Sequence, residues 1–181
     1  MNVSLLVGMV GSCILVAGSA WPERATKTAA HASVKNRLFA LGGIAMLIYA
    51  MLQYQEGGHV FFIFLQCLIV AASVLMMIDT NDKFDIGVLT LLGGGLITWS
   101  LFLFDNYFII TFIVGMIGIG LGYTLKAGSI ARNVALCTGS ALIAIFSFHE
   151  ASWVFFWLNV FFFIFSGYYG IKMISQRTAR S

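Results

Sequence analysis

The chain has 181 residues, of which 60% are hydrophobic and only 9% charged, with a formal net charge of +3. An ordinary soluble domain carries about 25% charged residues, and a soluble chain of this length could not withdraw so much apolar surface from water. The composition excludes a soluble globular domain, gives no reason to expect a nucleic-acid partner, and predicts an all-α integral membrane protein whose apolar surface faces a lipid bilayer.

Seven apolar runs of helix-spanning length lie near residues 3–21, 37–54, 59–79, 86–104, 107–125, 133–149 and 152–174. The first carries Val7-Gly8-Met9-Val10-Gly11 and Cys13 and ends in AGSA, which resembles a signal-peptide cleavage site. No basic segment precedes it, so it is expected to be retained as a helix. A basic loop with Pro22, Arg24, Lys27, His31, Lys35 and Arg37 leads to the second run, where Tyr49 and Gln53 lie one turn apart and Tyr54 follows. Gln66 sits well inside the third run, about 12 Å along the helix at 1.5 Å rise per residue; Cys67 follows it, and Ser73 lies two turns further on. The loop with Asp79, Asp82, Lys83 and Asp85 is expected to be solvated. Gly87 and Gly93-Gly94-Gly95 in the fourth run, and Gly115, Gly118, Gly120 and Gly122 in the fifth, predict closely packed helices. The sixth run contains Cys137. The seventh contains Trp153, Trp157, Asn159, the Phe161-Phe162-Phe163 run and Ser166. The connections are short and polar, and the alternating ten-residue segments of a membrane β-barrel are absent.

The ten lysines and arginines give the orientation. With seven crossings, Arg24, Lys27, Lys35, Arg37, Lys83, Lys126, Arg132, Lys172, Arg177 and Arg180 all fall on one side, and Glu56, Asp105 and Glu150 fall on the other. The positive-inside rule puts the basic side in the cytoplasm, with the N-terminus outside and the C-terminus inside. The expected location is a bacterial inner membrane.

The chain also resembles itself. Val7-Gly8-Met9-Val10-Gly11 returns as Val114-Gly115-Met116-Ile117-Gly118. Arg37, Ala40, Leu41, Leu47 and Ile48 match Arg132, Ala135, Leu136, Leu142 and Ile143. Val60-Phe61-Phe62 matches Val154-Phe155-Phe156, and after a one-residue slip Leu65, Gln66 and Ser73 match Leu158, Asn159 and Ser166. Two three-helix units, residues 1–80 and 106–181, are therefore expected in parallel orientation. Directly joined three-helix units would be inverted, so the linker helix at 81–105 restores the orientation. This is a 3+1+3 plan of two parallel three-helix bundles, of a kind that transporters use.

The paired VGM(V/I)G segments, the Gly93-Gly94-Gly95 linker helix, Gln66 and Asn159 resemble the SWEET and PQ-loop superfamily of seven-helix solute carriers. The resemblance implies a substrate contact from an amide in the third helix and another in the seventh, here Gln66 and Asn159. The chain departs from the family in having no Pro-Gln dipeptide and no hinge proline in the first or fifth helix. The Pnu family of B-vitamin and nucleoside-like transporters, similar in its 3+1+3 plan, remains an alternative.

Chemistry-bearing residues are few. Gln66 with Ser73, and Asn159 with Ser166, each put an amide and a hydroxyl on one helix face. Across a twofold axis they could line one polar cavity, with Tyr49, Gln53 and Trp157 as wall or gate. Interhelical hydrogen bonding is the other reading of the same residues. Cys13, Cys67 and Cys137 lack CxxC spacing and read as buried free thiols. His59 and His149 both fall at outer helix ends, where they could titrate together; no metal or cofactor site is expected. No charge lies in the middle of a run, which argues against a proton relay, and no catalytic constellation is visible. The expected function is that of a facilitator for a small neutral polar solute such as a sugar, not an enzyme. A structural, accessory or lipid-binding membrane subunit, and assembly as a homo-oligomer, stay open.

Overall fold

The structure, a computed structural model, describes residues 2–21, 33–78, 81–126 and 128–178 and, of Asp82, the backbone alone. Pro22, Arg24, Lys27, His31, Asp79 and Arg180, to which the sequence assigns loop or tail positions, lie outside the described residues.

Seven α-helices follow one another: α1 (Val3–Ala20), α2 (Val34–Gln55), α3 (Phe61–Ile78), α4 (Asp82–Phe102), α5 (Phe108–Thr124), α6 (Ile130–His149) and α7 (Trp153–Thr178). The described residues contain no strand. Six of the helices are long and apolar enough to cross a membrane. The other, α5, has 17 residues, the lower end of the spanning range of about 17–25. Several helices begin earlier than the apolar runs because caps, not hydropathy, fix where backbone hydrogen bonding starts. The Asn81 side chain accepts from the Lys83 amide at 3.0 Å. The Ser129 hydroxyl accepts from the Arg132 amide at 3.1 Å. Each satisfies an otherwise orphaned donor of the first turn.

Helices adjacent in sequence pack side by side: α1 on α2, α2 on α3, α5 on α6 and α6 on α7. Two further contacts, α1 with α7 and α3 with α5, join these sets, and α4 leans on α5 and α3. The shared core is aromatic. Phe61, Phe62, Phe112, Phe146 and Phe155 are all buried. The rings of Phe62 and Phe155 stack nearly parallel, with centroids 4.2 Å apart and planes 4° apart. Phe146 meets Phe62 at 5.7 Å and Phe112 at 5.1 Å.

Helix α1 meets α2 through glycines, and α5 meets α6 the same way. Gly8 lies under the Tyr49 ring, where an added Cβ would stand 2.8 Å from Cδ2, and Gly115 lies under Ile143, 2.8 Å from Cδ1. Gly11 faces Ala45 and Met46, while Gly118 faces Gly139. Gly42 receives Leu15, and Gly122 receives Leu136, so the small and large partners have exchanged helices. The glycines of α5 thus do pack closely, except Gly120, which has only an ordinary contact with Leu68 at 3.6 Å. The tight packing expected of α4 does not occur. Gly87, Gly94 and Gly95 have nothing within 4 Å, and Gly93 has only Leu68 Cδ1 at 3.7 Å. Gly93 is buried towards α3, while Gly87, Gly94 and Gly95 are exposed, on a part of α4 that no other described helix covers.

The turns after α2 and α6 share one construction. Their C-caps are both glutamates, Glu56 at φ −87°, ψ 7° and Glu150 at φ −82°, ψ 9°. The next residue is left-handed in each, Gly57 at φ 94° and Ala151 at φ 51°. The amide of Gly58 then bonds Gln53 O at 2.8 Å, and that of Ser152 bonds Ser147 O at 2.9 Å. Glycine takes this conformation freely, whereas alanine adopts it at a cost of about 1–2 kcal/mol.

Candidate functional site

Helix α3 buries Phe62, Leu65, Gln66 and Ser73 on one side, and α7 buries Phe155, Leu158, Asn159 and Ser166. The two sets have identical spacing. At this spacing Phe62 stands in α3 where Phe155 stands in α7, and these two rings are the pair that stacks. Gln66 and Asn159 each follow one helical turn further along, and Ser73 and Ser166 two turns beyond them.

The polar groups on this face differ in how they are satisfied. Asn159 Nδ2 donates to Phe155 O at 2.8 Å, one turn back along its own helix. Ser73 Oγ likewise donates to Ile69 O at 2.7 Å. Gln66 is fully buried, and neither its Nε2 nor its Oε1 has a hydrogen-bond partner. An amide left this way costs about 1–3 kcal/mol on mutational scales. Among the described residues, Ser140 on α6 is the other buried side chain with a polar atom left without a partner.

The remaining predicted residues divide between core and surface. Tyr49 is buried and its ring lies 5.3 Å from that of Phe155. Gln53 is half-buried near the end of α2. Trp157 is 55% exposed and packs on Phe156, so the structure does not bring it to Gln66 and Asn159. Helix geometry explains this, since two residues before Asn159 is nearly the opposite side of α7. Phe161 and Phe163 also point outward, while Phe162 turns in against Phe39 at 6.0 Å. Cys13 is exposed and Cys67 and Cys137 are half-buried; all three are free, so the reading of buried thiols fails for Cys13.

Both amides are buried, with the aromatic core packed between α3, α6 and α7. Two hollows lie instead along α4. One of about 490 Å³ is lined by Val88, Leu91, Leu92, Gly95, Leu96 and Trp99, and one of about 380 Å³ by Gly95, Thr98, Trp99 and Phe102. Both are apolar, and neither includes a predicted site residue.

A polar cluster closes the end of the molecule nearest the Phe62–Phe155 stack. His59 Nε2 lies 2.5 Å from Glu150 Oε2, and His149 Nδ1 lies 2.9 Å from Glu150 Oε1. Asn2 and Ser4 of α1 donate to Glu56 at 3.2 and 3.0 Å. The sequence hinted at the first group, since Glu150 adjoins His149, but contact with His59 arises only from the packing. No group of three or more metal-ligating side chains occurs among the described residues. No known protein family, curated protein or solved structure matches this chain.

Proposed function

We propose that the chain is a seven-span membrane facilitator for a small neutral polar solute, working by alternating movement of two parallel three-helix units, α1–α3 and α5–α7, about an axis between Phe62 and Phe155. Helix α4 is the linker. The N-terminus is outside and the C-terminus cytoplasmic, in a bacterial inner membrane, with each described basic residue at the start of α2, α4 or α6 or the end of α5 or α7.

Several observations support the duplication. Exchanging α1 with α5, α2 with α6 and α3 with α7 turns the contact of α1 with α7 into that of α5 with α3, and both exist. The same exchange places Gly8 and Gly11 of α1, which face α2, onto Gly115 and Gly118 of α5, which face α6, and one glutamate-capped turn onto the other. A residue that touches its own counterpart must lie beside the axis, and Phe62 touches Phe155.

The reading of function rests on one observation, Gln66. A fully buried amide with no partner is unstable where it stands, and a chain that keeps one beside its axis has a use for it in another state. A hydroxyl-bearing solute offers both the donor and the acceptor that the amide lacks. The absence of nearby charge suits a neutral solute. Full closure around the amides fits an occluded resting state. It also favours a second reading, a structural subunit in which Gln66 and Asn159 only specify helix packing.

An uptake survey in proteoliposomes with neutral sugars and polyols, nucleosides and B vitamins separates the two. The carrier reading predicts that at least one class enters faster than into protein-free vesicles, with no requirement for an ion gradient. Entry of a vitamin or nucleoside but no sugar would move the assignment to the alternative solute class. Equal rates for every solute would favour the structural subunit.

A further inference from the structure

We propose that Ser140 of α6 is a further solute contact, so that the Gln66 amide of the first unit and the Ser140 hydroxyl of the second together hold a neutral polyhydroxy solute, a polyol or sugar. The proposal rests on the carrier reading above and names a residue of the site that the symmetric pairing of amides does not contain.

Both groups point to one interior space. Six helices touch in the closed order α1, α2, α3, α5, α6, α7, with α4 outside this ring. On α3, the Phe62 ring reaches across to Phe155, and Gln66 follows on the same face one turn further along. On α6, Leu136 and Ile143 meet Gly122 and Gly115 of α5, whereas Asn133 and Cys137 meet Met173 and Phe163 of α7. With the periodicity of an α-helix, Ser140 falls between these two directions, towards the interior of the ring. The rings of Phe62 and Phe146 meet at 5.7 Å and mark one level on the two helices. From Phe62 inward to Gln66 is about 6 Å, and from Phe146 inward to Ser140 about 9 Å, at 1.5 Å rise per residue. The two groups therefore differ by only about 3 Å in depth.

The hydroxyl of Ser140 stands apart from those of other buried serines. Ser73, Ser100 and Ser147 each donate to the carbonyl one turn back along their own helix, at 2.7, 2.9 and 2.8 Å. Ser140 is 1% exposed and makes no such bond, although the same local acceptor is available to any helical serine. Asn159 likewise bonds its own helix, at Phe155 O. Gln66 and Ser140 are thus the buried side chains whose hydrogen-bonding capacity is unused, and they belong to different units. Counting back from the matched caps Glu56 and Glu150, the α2 residue equivalent to Ser140 is Met46, also fully buried. The polar lining is therefore uneven, with an amide from each unit but a hydroxyl from the second alone.

The chemistry of the pair selects its ligand. An amide and a hydroxyl each both donate and accept. They are matched by a solute whose own groups do the same, which is the property of hydroxyls and not of ketones or ethers. Among the described residues, no charged side chain lies at this depth on any helix of the ring, so the solute is neutral. Its carbon skeleton packs against the aromatic layer of Phe62 and Phe155. Both polar groups are buried in this state, and solute reaches them as the units part.

Ser140→Ala removes the hydroxyl alone, and alanine is the best helix former. Uptake into proteoliposomes is measured for xylitol, D-glucose, D-ribose and the monodeoxy forms of both sugars. The half-saturating concentration of at least one sugar should rise about two- to tenfold in Ser140→Ala, the worth of one hydrogen bond, with the unfolding temperature unchanged or raised. One monodeoxy form of that sugar, lacking the hydroxyl that meets Ser140, should be weakened as much in the parent and lose nothing further in the variant. Ser140→Cys keeps the approximate volume with a poorer donor and carries the same test if the alanine variant does not fold. Unchanged half-saturation for every probe, or an equal loss for a sugar and all of its monodeoxy forms, overturns the proposal. Loss of folded protein in both variants makes Ser140 a packing group and overturns it too. A parent that takes up a nucleoside or vitamin but none of these probes refutes the proposal and leaves the carrier reading standing, whereas a parent that takes up nothing refutes both.

Discussion

Replacing Gln66 with leucine is expected to raise thermal stability and to lower solute uptake by about tenfold or more. The two effects have one cause. The amide is fully buried and both of its polar atoms are unpartnered, so an apolar side chain of similar volume removes a burden of about 1–3 kcal/mol. The same change removes donor and acceptor together. Each hydrogen bond to solute is worth about 0.5–1.5 kcal/mol, and losing two of them lowers uptake by about tenfold or more. Asn159→Leu should lower uptake similarly with little change in stability, since its amide nitrogen bonds only Phe155 O of the same helix. Thermal unfolding of purified protein and uptake into proteoliposomes read the two effects separately. Normal uptake by both variants would remove the amides from the transport path. Loss of folded protein in both would make them helix-packing groups.

Gly139→Val should be strongly destabilising. A Cβ at Gly139 would stand 2.7 Å from the Ile119 backbone nitrogen and 2.8 Å from Gly115 O. Backbone atoms cannot rotate away as a side-chain tip can, so α5 and α6 must separate along their whole contact. Overpacking of this kind costs about 1–3 kcal/mol or more, and the yield of monodisperse protein in detergent should fall accordingly. Gly94→Ala is the control. Nothing lies within 4 Å of Gly94, and alanine in a helix is favoured over glycine by about 1 kcal/mol. That variant should be as stable as the parent or more so. A Gly139→Val protein that unfolds at the parent temperature would contradict the described α5–α6 packing.

The helices were legible in the sequence because apolar length is what a bilayer measures. Their ends were less so, since α2 takes in Lys35 to Arg37 and α4 starts at the Asn81 cap, polar positions that hydropathy assigns to loops. The inward face of α7 was legible in spacing alone: Phe155, Leu158, Asn159 and Ser166 share one side, a pattern that excludes Trp157 once helical periodicity is applied. The α4 glycines could not be read. A glycine that admits a neighbouring helix and one that faces outward look the same in sequence, and only the contacts tell Gly118 from Gly94. The Phe62–Phe155 stack was hidden for another reason. Both helices open on paired phenylalanines, and Phe61 and Phe62 are both buried, so which of them stacks on Phe155 is seen only in the packing.

The carrier reading turns on whether the buried amides ever meet water. Asn159→Cys, in a background lacking the native cysteines and reconstituted in sealed vesicles of known orientation, tests this with a membrane-impermeant maleimide applied to one face at a time. Alternating access predicts slow labelling from each face, with a saturating neutral solute protecting the thiol. Labelling from neither face, in protein that reacts fully once unfolded, would mean that the space beside Phe62 and Phe155 stays closed and that the chain is not a carrier.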